Sequence, residues 1–397
     1  MPCTIGVSRG DDRRAVVEII VIAHDDCVVS GQSVRRAVSL KASIIANDIR
    51  AGIWARSAED MRKKSINLAL QGGGSHGAFT WGVLDYFMED ERVSIEGISG
   101  TSAGAMNAAV MAQGYMENGA EGARESLETF WWQVAQMGKF SPIKRSPLSV
   151  LTGNWNMGYS PTNVMFDLLS RVASPYDINP LNINPLRNLV ESTIDFEKVR
   201  ACGKLKLFIA ATNVHSGKIK VFEREELTAE MILASACLPT IYQAVEIDGV
   251  PYWDGGYVGN PPLYPLYHST KSKDILVVQI NPVERNETPR TAMEIQNRIN
   301  EISFNTSLLR ELRGIEFVHR LLKENKLNED YYANILMHRI EATEQLGGLS
   351  ASSKLNAEWE FLVHLRDIGR ESASVFLDEN YERLGVESTL DLKHEFS

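Results

Sequence analysis

Twice in close succession the chain runs a short apolar strand straight into a glycine-rich turn and then into a helix. Ile66–Leu70 leads to Gly72-Gly73-Gly74-Ser75-His76-Gly77 and the helix-like Ala78–Met88; Ser94–Ser99 leads to Gly100-Thr101-Ser102-Ala103-Gly104 and the small-residue run Ala105–Ala112. A strand that turns at once into a helix places its turn at the carboxyl edge of a sheet, and repetition of that unit predicts an α/β layered fold. The alternation continues to about Pro282. Leu205–Asn213 and Lys218–Phe222 flank the hairpin signal His215-Ser216-Gly217, Val245–Ile247 and Pro251–Trp253 flank Asp248-Gly249, and Asp274–Ile280 reads as a last buried strand.

Beyond Pro282 the pattern turns helical. Ile295, Ile299, Ile302, Leu309, Leu312 and Phe317 recur at helix spacing among many charges, which predicts that residues 283–397 form a helical cover on the main domain. The first sixty residues show no clear strand–helix unit and end at the basic stub Met61-Arg62-Lys63-Lys64-Ser65, which opens into the first strand. Residues 1–60 are therefore expected to be a dispensable extension or a mis-assigned start, with Met61 the working N-terminus.

Composition narrows the function. Of 397 residues 44% are hydrophobic and 23% charged, which excludes collagen-like and low-complexity chains. With Lys+Arg 41 against Asp+Glu 51 the net charge is −10, which argues against general nucleic-acid binding. Cys3, Cys27, Cys202 and Cys237 fall in no metal-binding spacing and read as free thiols of a reducing compartment. The 8 histidines form no ligand motif, so no metal is expected. The longest apolar run, Ala15–Ala23, is interrupted by Glu18 and is too short to span a bilayer, and no signal-peptide pattern is complete around it. The expectation is a soluble, cytoplasmic protein.

Three motifs carry chemistry. The Gly72–Gly77 turn suits an anion, because glycine lets the backbone approach closely and helix N-terminal amides point at negative charge. It also satisfies G-x-G-x-x-G, and Glu96, about twenty residues on, matches the ribose acid of a dinucleotide site. Gly100–Gly104 is a G-x-S-x-G on a strand–turn–helix elbow, the arrangement that holds a serine hydroxyl out at a sheet edge and makes Ser102 a candidate nucleophile. A serine needs a base. His215 in the hairpin turn and His268 in a loop have no distinctive setting, whereas Asp254-Gly255-Gly256 ends a short strand, and a buried carboxylate can take a serine proton directly.

The three motifs in this order, with Ala234-Ser235-Ala236-Cys237-Leu238-Pro239 ahead of the aspartate, resemble the patatin-like phospholipase family from about Ile66 to Pro265. The resemblance implies an acyl-hydrolase domain over residues 66–267, a layered α/β sheet flanked by helices with a helical C-terminal extension. It implies a Ser–Asp dyad that works without metal or cofactor: Ser102 as nucleophile and Asp254 as general base, with Gly255 and Gly256 completing the aspartate motif. It also implies an elbow of Gly100, Thr101 and Gly104, and an oxyanion site around Gly72, Gly73, Gly74, Ser75, Gly77 and Ala103. One departure is His76, where the family usually has Arg or Lys. The apolar stretch containing Phe130-Trp131-Trp132, Leu148–Leu151, Met165-Phe166, Leu168-Leu169 and the Asn-Pro steps at Asn179 and Asn184 suits an acyl groove or lid. Lys139, Lys144 and Arg145 suit a basic rim for transient membrane contact. The expected substrate is a phospholipid or related lipid ester. Three other readings stay open: an acylglycerol, soluble ester or storage polyester cleaved by the same dyad; dinucleotide binding at Gly72–Gly77; and a silent interaction protein.

Overall fold

The polarity of five buried strands explains the layers. In the computed structural model, strand β1 (Lys64–Leu70) is followed by helix α1 (Gly77–Asp90), strand β2 (Val93–Gly100), helix α2 (Ala103–Gly138) and strands β3 (Lys206–Asn213) and β4 (Ile219–Glu223). Helix α3 (Ala229–Ser235), the hairpin β5 (Val245–Ile247) and β6 (Val250–Asp254), helix α4 (Tyr264–Ser269) and strand β7 (Asp274–Val278) come next. Helix α5 (Ala292–Lys323), strand β8 (Leu336–Ile340) and helix α6 (Trp359–Asn380) complete the main elements. The structure describes residues 63–396, except 140, 142–143, 158–172, 286 and 329, together with Gly6–Val7 and Ile19–Ile20.

The strands form an 8-stranded sheet in the order β8-β7-β1-β2-β3-β6-β5, with β4 paired to β3. From β8 to β3 neighbours are parallel; β4, β6 and β5 join antiparallel. A parallel sheet must be covered on both faces, and the alternation along each strand supplies two cores. Ile66, Leu68 and Leu70 of β1 and Leu276 and Val278 of β7 join one, with Phe79, Val83 and Phe87 of α1 and Phe361, Leu365 and Leu377 of α6. Ala69, Ile275 and Val277 point the other way, to Leu308, Leu312 and Ile315 of α5 and Leu266 of α4.

The region beyond Pro282 is more than a helical cover. β8 extends the same sheet, pairing Leu336–Ile340 with Asp274–Val278, and Lys63–Ser397 forms one compact unit. The expected apolar stripe of α5 is also displaced. Ile295, Ile299, Ile302 and Phe317 are exposed, while the buried line is Glu301, Asn305, Leu308, Leu312 and Ile315. An apolar periodicity cannot find that line, because two of its members are polar and are made tolerable by partners: Glu301 pairs with Arg285 and Arg298, and Asn305 bonds Gln71 and Pro282.

Met1–Arg62 is a separate unit, in which Gly6–Val7 pairs antiparallel with Ile19–Ile20. The rest of that unit, Cys3 and Cys27, and the Met165-Phe166 and Leu168-Leu169 part of the apolar stretch lie outside the described residues.

Helices α1 and α6 touch through glycines. A Cβ on Gly82 would collide with the Arg366 carbonyl, and one on Gly369 with that of Phe79. Gly82→Ala is expected to cost about 1–3 kcal/mol by overpacking. Gly314→Ala on α5, where nothing stands within 4 Å of the added carbon, is expected to gain up to ~1 kcal/mol from helix propensity. Urea unfolding of the two variants checks both signs.

Candidate active site

A strand has two edges, and β3 has three partners. β4 pairs along Phe208–Thr212, so β2 and β6 share the opposite edge in succession. β2 runs parallel to Lys206–Ile209 and ends at Gly100 opposite Ile209; β6 runs antiparallel to Ala211–Asn213 and ends at Asp254 opposite Ala211. The two strands therefore meet head-on, their last residues separated by two positions of β3, or about 7 Å. Ser102 follows one end and Asp254 is the other.

Ser102 turns sharply out of β2 at φ 55, ψ −120, a left-handed conformation unusual outside glycine. The turn closes only because its flanks have no side chains. A Cβ on Gly100 would stand 2.8 Å from backbone atoms of Gly104, and one on Gly104 would collide with the Leu70 carbonyl. Hydrogen bonds hold it: the Gly104 amide donates to Thr101 O at 2.8 Å, Thr101 Oγ1 to Gly259 O at 2.7 Å, and the Ser102 amide to Ser235 Oγ at 2.9 Å. Ala105, Ala108, Ala109 and Ala112 are fully buried, so α2 packs closely behind the serine. At Asn118–Gly119 α2 breaks its helical backbone, and its two halves fold against each other at Gly114 and Gly122.

Asp254 is anchored along its backbone. Its amide donates to Cys237 O at 2.8 Å, and its carbonyl accepts from Thr212 Oγ1 at 2.7 Å. Its carboxylate Oδ1 accepts the Gly256 amide at 2.7 Å. Gly255 and Gly256 leave no room for a Cβ, against the Ala210 carbonyl and the Phe304 ring respectively. Burial pushes the Asp254 carboxyl up to about 7, only partly offset by the Gly256 amide, the Ser102 hydroxyl and the Lys354 ammonium. A carboxyl in that range is a far better base than an exposed one. Burial likewise pushes the neighbouring Cys237 thiol and Tyr257 hydroxyl up to about 12, with Asp254 adding to each.

The glycine turn lies against the elbow. A Cβ on Gly72 would stand 2.7 Å from that of Ser102, and one on Gly77 2.6 Å from that of Ala103. Two amides of this turn are already spent: Gly72 donates to Asn260 Oδ1 at 2.6 Å, and Gly77 to the carbonyls of Gly74 and Ser75. Among the described residues the amides of Gly73, Gly74, Ser75 and Ala103 have no acceptor, which narrows the expected set of oxyanion donors to these four. His76 brings no charge. Its Nε2 meets Ser353 Oγ at 2.8 Å, and burial, with the cations Lys354 and Arg285 nearby, lowers it to about 3, so it is neutral.

Two residues were missed from the sequence, and a third was quoted there without a role. Asn260 takes the Gly72 amide, and Asn107 donates to Gly77 O at 3.0 Å while accepting from Trp131 Nε1 at 3.0 Å; Ser235, part of the small-residue segment ahead of the aspartate, takes the Ser102 amide. Asn107 and Asn260 are common residues in unremarkable local settings, so only the fold singles them out. Other expectations are corrected. Phe130 and Trp131 are core, not groove wall, whereas Trp132 is exposed. Arg145 is not a free rim cation, because it pairs with Glu358 and stacks on Trp155 at 4.3 Å; Lys139 and Lys144 are exposed. Glu96 accepts the amides of Lys271 and Ser272 at 2.9 Å, which occupies the carboxylate a ribose would need. His215 and His268 are exposed, in the β3–β4 turn and in α4. Asn184 caps the helix Pro185–Thr193, a structural use of that Asn-Pro step.

Residues 68–267, half of the chain, match the family model described as Patatin-like phospholipase. A search of curated proteins returned no match. Among solved structures, VipD from Legionella pneumophila is similar at 14% identity and a TM-score of 0.33, over 77% of this chain and 67% of that one. The type III effector ExoU is similar at 14% identity and a TM-score of 0.30, over 80% of this chain. The SpcU–ExoU complex from Pseudomonas aeruginosa gives 12% identity and a TM-score of 0.27, over 79% of this chain. The match spans 53% of the ExoU chain in each case, about half its length.

The raised Asp254 carboxyl has a consequence for stability. It binds its proton more tightly in the native than in the unfolded chain, so its burial costs nothing below the unfolded value near 4 and progressively more as pH rises to about 7. Asp254→Asn is therefore expected to stabilise the protein relative to wild type at pH 8. The difference should exceed that at pH 5 by on the order of 2 kcal/mol, read by chemical denaturation at both pH values.

Proposed function

The chain belongs to the patatin-like phospholipase family, and on that premise we propose that it is a lipid acyl hydrolase that cleaves carboxylic esters through Ser102 and Asp254. The observation that carries this reading is the head-on meeting of β2 and β6 along β3, which brings a strained serine elbow to a buried carboxylate with a free-amide turn beside them. No histidine is needed, because burial has already given the carboxylate a proton affinity in the range a base requires.

The chemistry follows in two halves. Ser102 Oγ attacks the acyl carbonyl carbon while its proton passes to Asp254. The carbonyl oxygen, now negative, is met by the amides of Gly73, Gly74 and Ala103, with Ser75 beside them. Collapse of this intermediate breaks the ester bond, and Asp254 returns the proton to the departing alcohol, leaving an acyl-serine. Asp254 then takes a proton from water, whose oxygen attacks the acyl carbon. The second collapse frees the fatty acid and restores the Ser102 hydroxyl. The helix dipole of α2, whose first residue is Ala103, favours the negative charge at both intermediates.

The proposed substrate is a phospholipid or a related lipid ester reached at a membrane surface. Among the described residues no helix is long and apolar enough to cross a membrane. Exposed Tyr176, Ile178, Leu181 and Ile183 support contact with lipid: Tyr176 Oη accepts the Ala244 amide at 3.2 Å, beside the segment that leads from Cys237 to β5.

A fluorophosphonate probe tests the dyad. Wild type is expected to label, and Ser102→Ala to lose labelling. Turnover of p-nitrophenyl esters should fall by at least about 10³-fold in both Ser102→Ala and Asp254→Asn. Labelling of Ser102→Ala at the wild-type rate would overturn the proposal. A series of phospholipid, acylglycerol and soluble esters, compared by kcat/KM, ranks the substrate classes; preference for the soluble ester would replace the lipid with a small ester.

A further inference from the structure

The segment Ala351–Leu355, a 3-10 turn outside the matched residues 68–267, is built onto the glycine turn. Ser353 Oγ meets His76 Nε2 at 2.8 Å, and the Lys354 carbonyl stands 2.5 Å from where a Cβ on Gly74 would be. The Lys354 side chain then reaches inward. Its Nζ donates to Asn281 Oδ1 at 2.6 Å, and Asn281 Nδ2 donates to Gly72 O at 2.7 Å, so the ammonium is two hydrogen bonds from the glycine-turn backbone. Nζ also lies 6.0 Å from the centre of the Phe304 ring, the ring that fills the space beside Gly256. The charge is thus linked through Asn281 to the turn that offers free amides and lies near the ring packed on the turn that carries Asp254.

Lys354 is half-buried as a residue, yet its ammonium is turned inward onto a neutral amide acceptor, which is a costly place for a charge. Among the described residues no carboxylate pairs with it: Glu301 of α5, whose charge acts on it, is held by Arg285 and Arg298. Negative charge at this site belongs to Asp254 before the reaction and to the oxyanion during it, and the ammonium acts electrostatically on Asp254.

We propose that Lys354 is a positioning residue of this active site: its ammonium supports the negative charge on Asp254 and, as that charge moves, on the oxyanion at Gly73–Gly74. The proposal rests on Asp254 serving as the base. Burial and Arg285 pull the Lys354 ammonium down to about 8, against Glu301 and Asp254, which raise it. The other groups facing the pair do not change charge in the same range. His76 is neutral, Cys237 and Tyr257 sit near 12, and Glu301 stays ionised because Arg285 and Arg298 outweigh its burial. Activity is therefore expected to rise with loss of the Asp254 proton at about 7 and to fall with loss of the Lys354 proton at about 8.

The test is the pH profile of kcat/KM on a soluble p-nitrophenyl ester for wild type, Lys354→Met, Lys354→Arg and Asp254→Asn, with folding followed by circular dichroism. Wild type is expected to give a narrow bell. Lys354→Met should lose roughly tenfold at the optimum, move its acid limb up by roughly half to one pH unit, and lose the alkaline fall. Lys354→Arg should keep the acid limb and lose the alkaline fall, because a guanidinium stays charged. Limbs that stay at wild-type positions in both variants, with or without lower turnover, would reduce Lys354 to packing and overturn the proposal. If Lys354→Met does not fold, the alkaline limb of Lys354→Arg decides alone. Turnover retained in Asp254→Asn would overturn the dyad and this proposal together, whereas turnover lost there with unmoved limbs in the Lys354 variants overturns only the role of Lys354.

Discussion

The candidate site depends on how one edge of β3 is divided. Because β2 is parallel to β3 and β6 antiparallel to it, the two strands approach each other along that edge and stop two residues apart. Were β6 parallel along the same stretch, its last residue would lie opposite Asn213 and not Ala211, about 7 Å farther from the end of β2. The change from parallel to antiparallel pairing at β3 is what turns an ordinary layered sheet into a place where a serine and a carboxylate face each other. Both residues are held there against their preferences, Ser102 by its left-handed backbone and Asp254 by its burial. Bonds from Thr101, Ser235, Thr212 and Gly256 offset that strain.

The support of the site is spread well beyond the residues that would do the chemistry. Gln71 accepts the amides of Ile280 and Asn281 and the side chain of Asn281, and donates to Asn305 of α5. Asn281 in turn holds Gly72 and Lys354. This buried polar network ties β1, the end of β7, α5 and the Ala351–Leu355 turn to one glycine loop. A network of that kind is stabilising only when every member is satisfied, so the C-terminal region is part of the site's construction and not a cover laid over it.

Where the sequence spoke clearly, the reason was local. Gly100 and Gly104 admit no side chain, and Asp248-Gly249 takes positive φ at both residues, so turn chemistry alone locates these points. The positions of β1, β2 and β3 follow from apolar runs that end in such turns, and that of β7 from its unbroken apolar run. β8 was invisible by the same logic. Its Leu-Met-His-Arg-Ile carries two polar residues, and His338 is tolerated in the core only because its ring meets Asp274 Oδ1 and Thr389 Oγ1, each at 3.0 Å. The exposed Ile295, Ile299 and Ile302 misled for the converse reason: periodicity identifies a face of a helix but not what that face is set against.

The amino-acid sequence by itself determined the two strand–turn–helix units, the glycine-flanked elbow at Ser102 and the aspartate at a strand end, because each is a matter of which backbone conformations neighbouring residues allow. Tertiary structure alone decided which amides remain free, that His76 is neutral, that Arg145 is spent on Glu358, and that a lysine some 250 residues from the serine stands beside the same turns. Proton affinity and hydrogen-bond availability are properties of surroundings, and those are assembled from segments far apart in the chain.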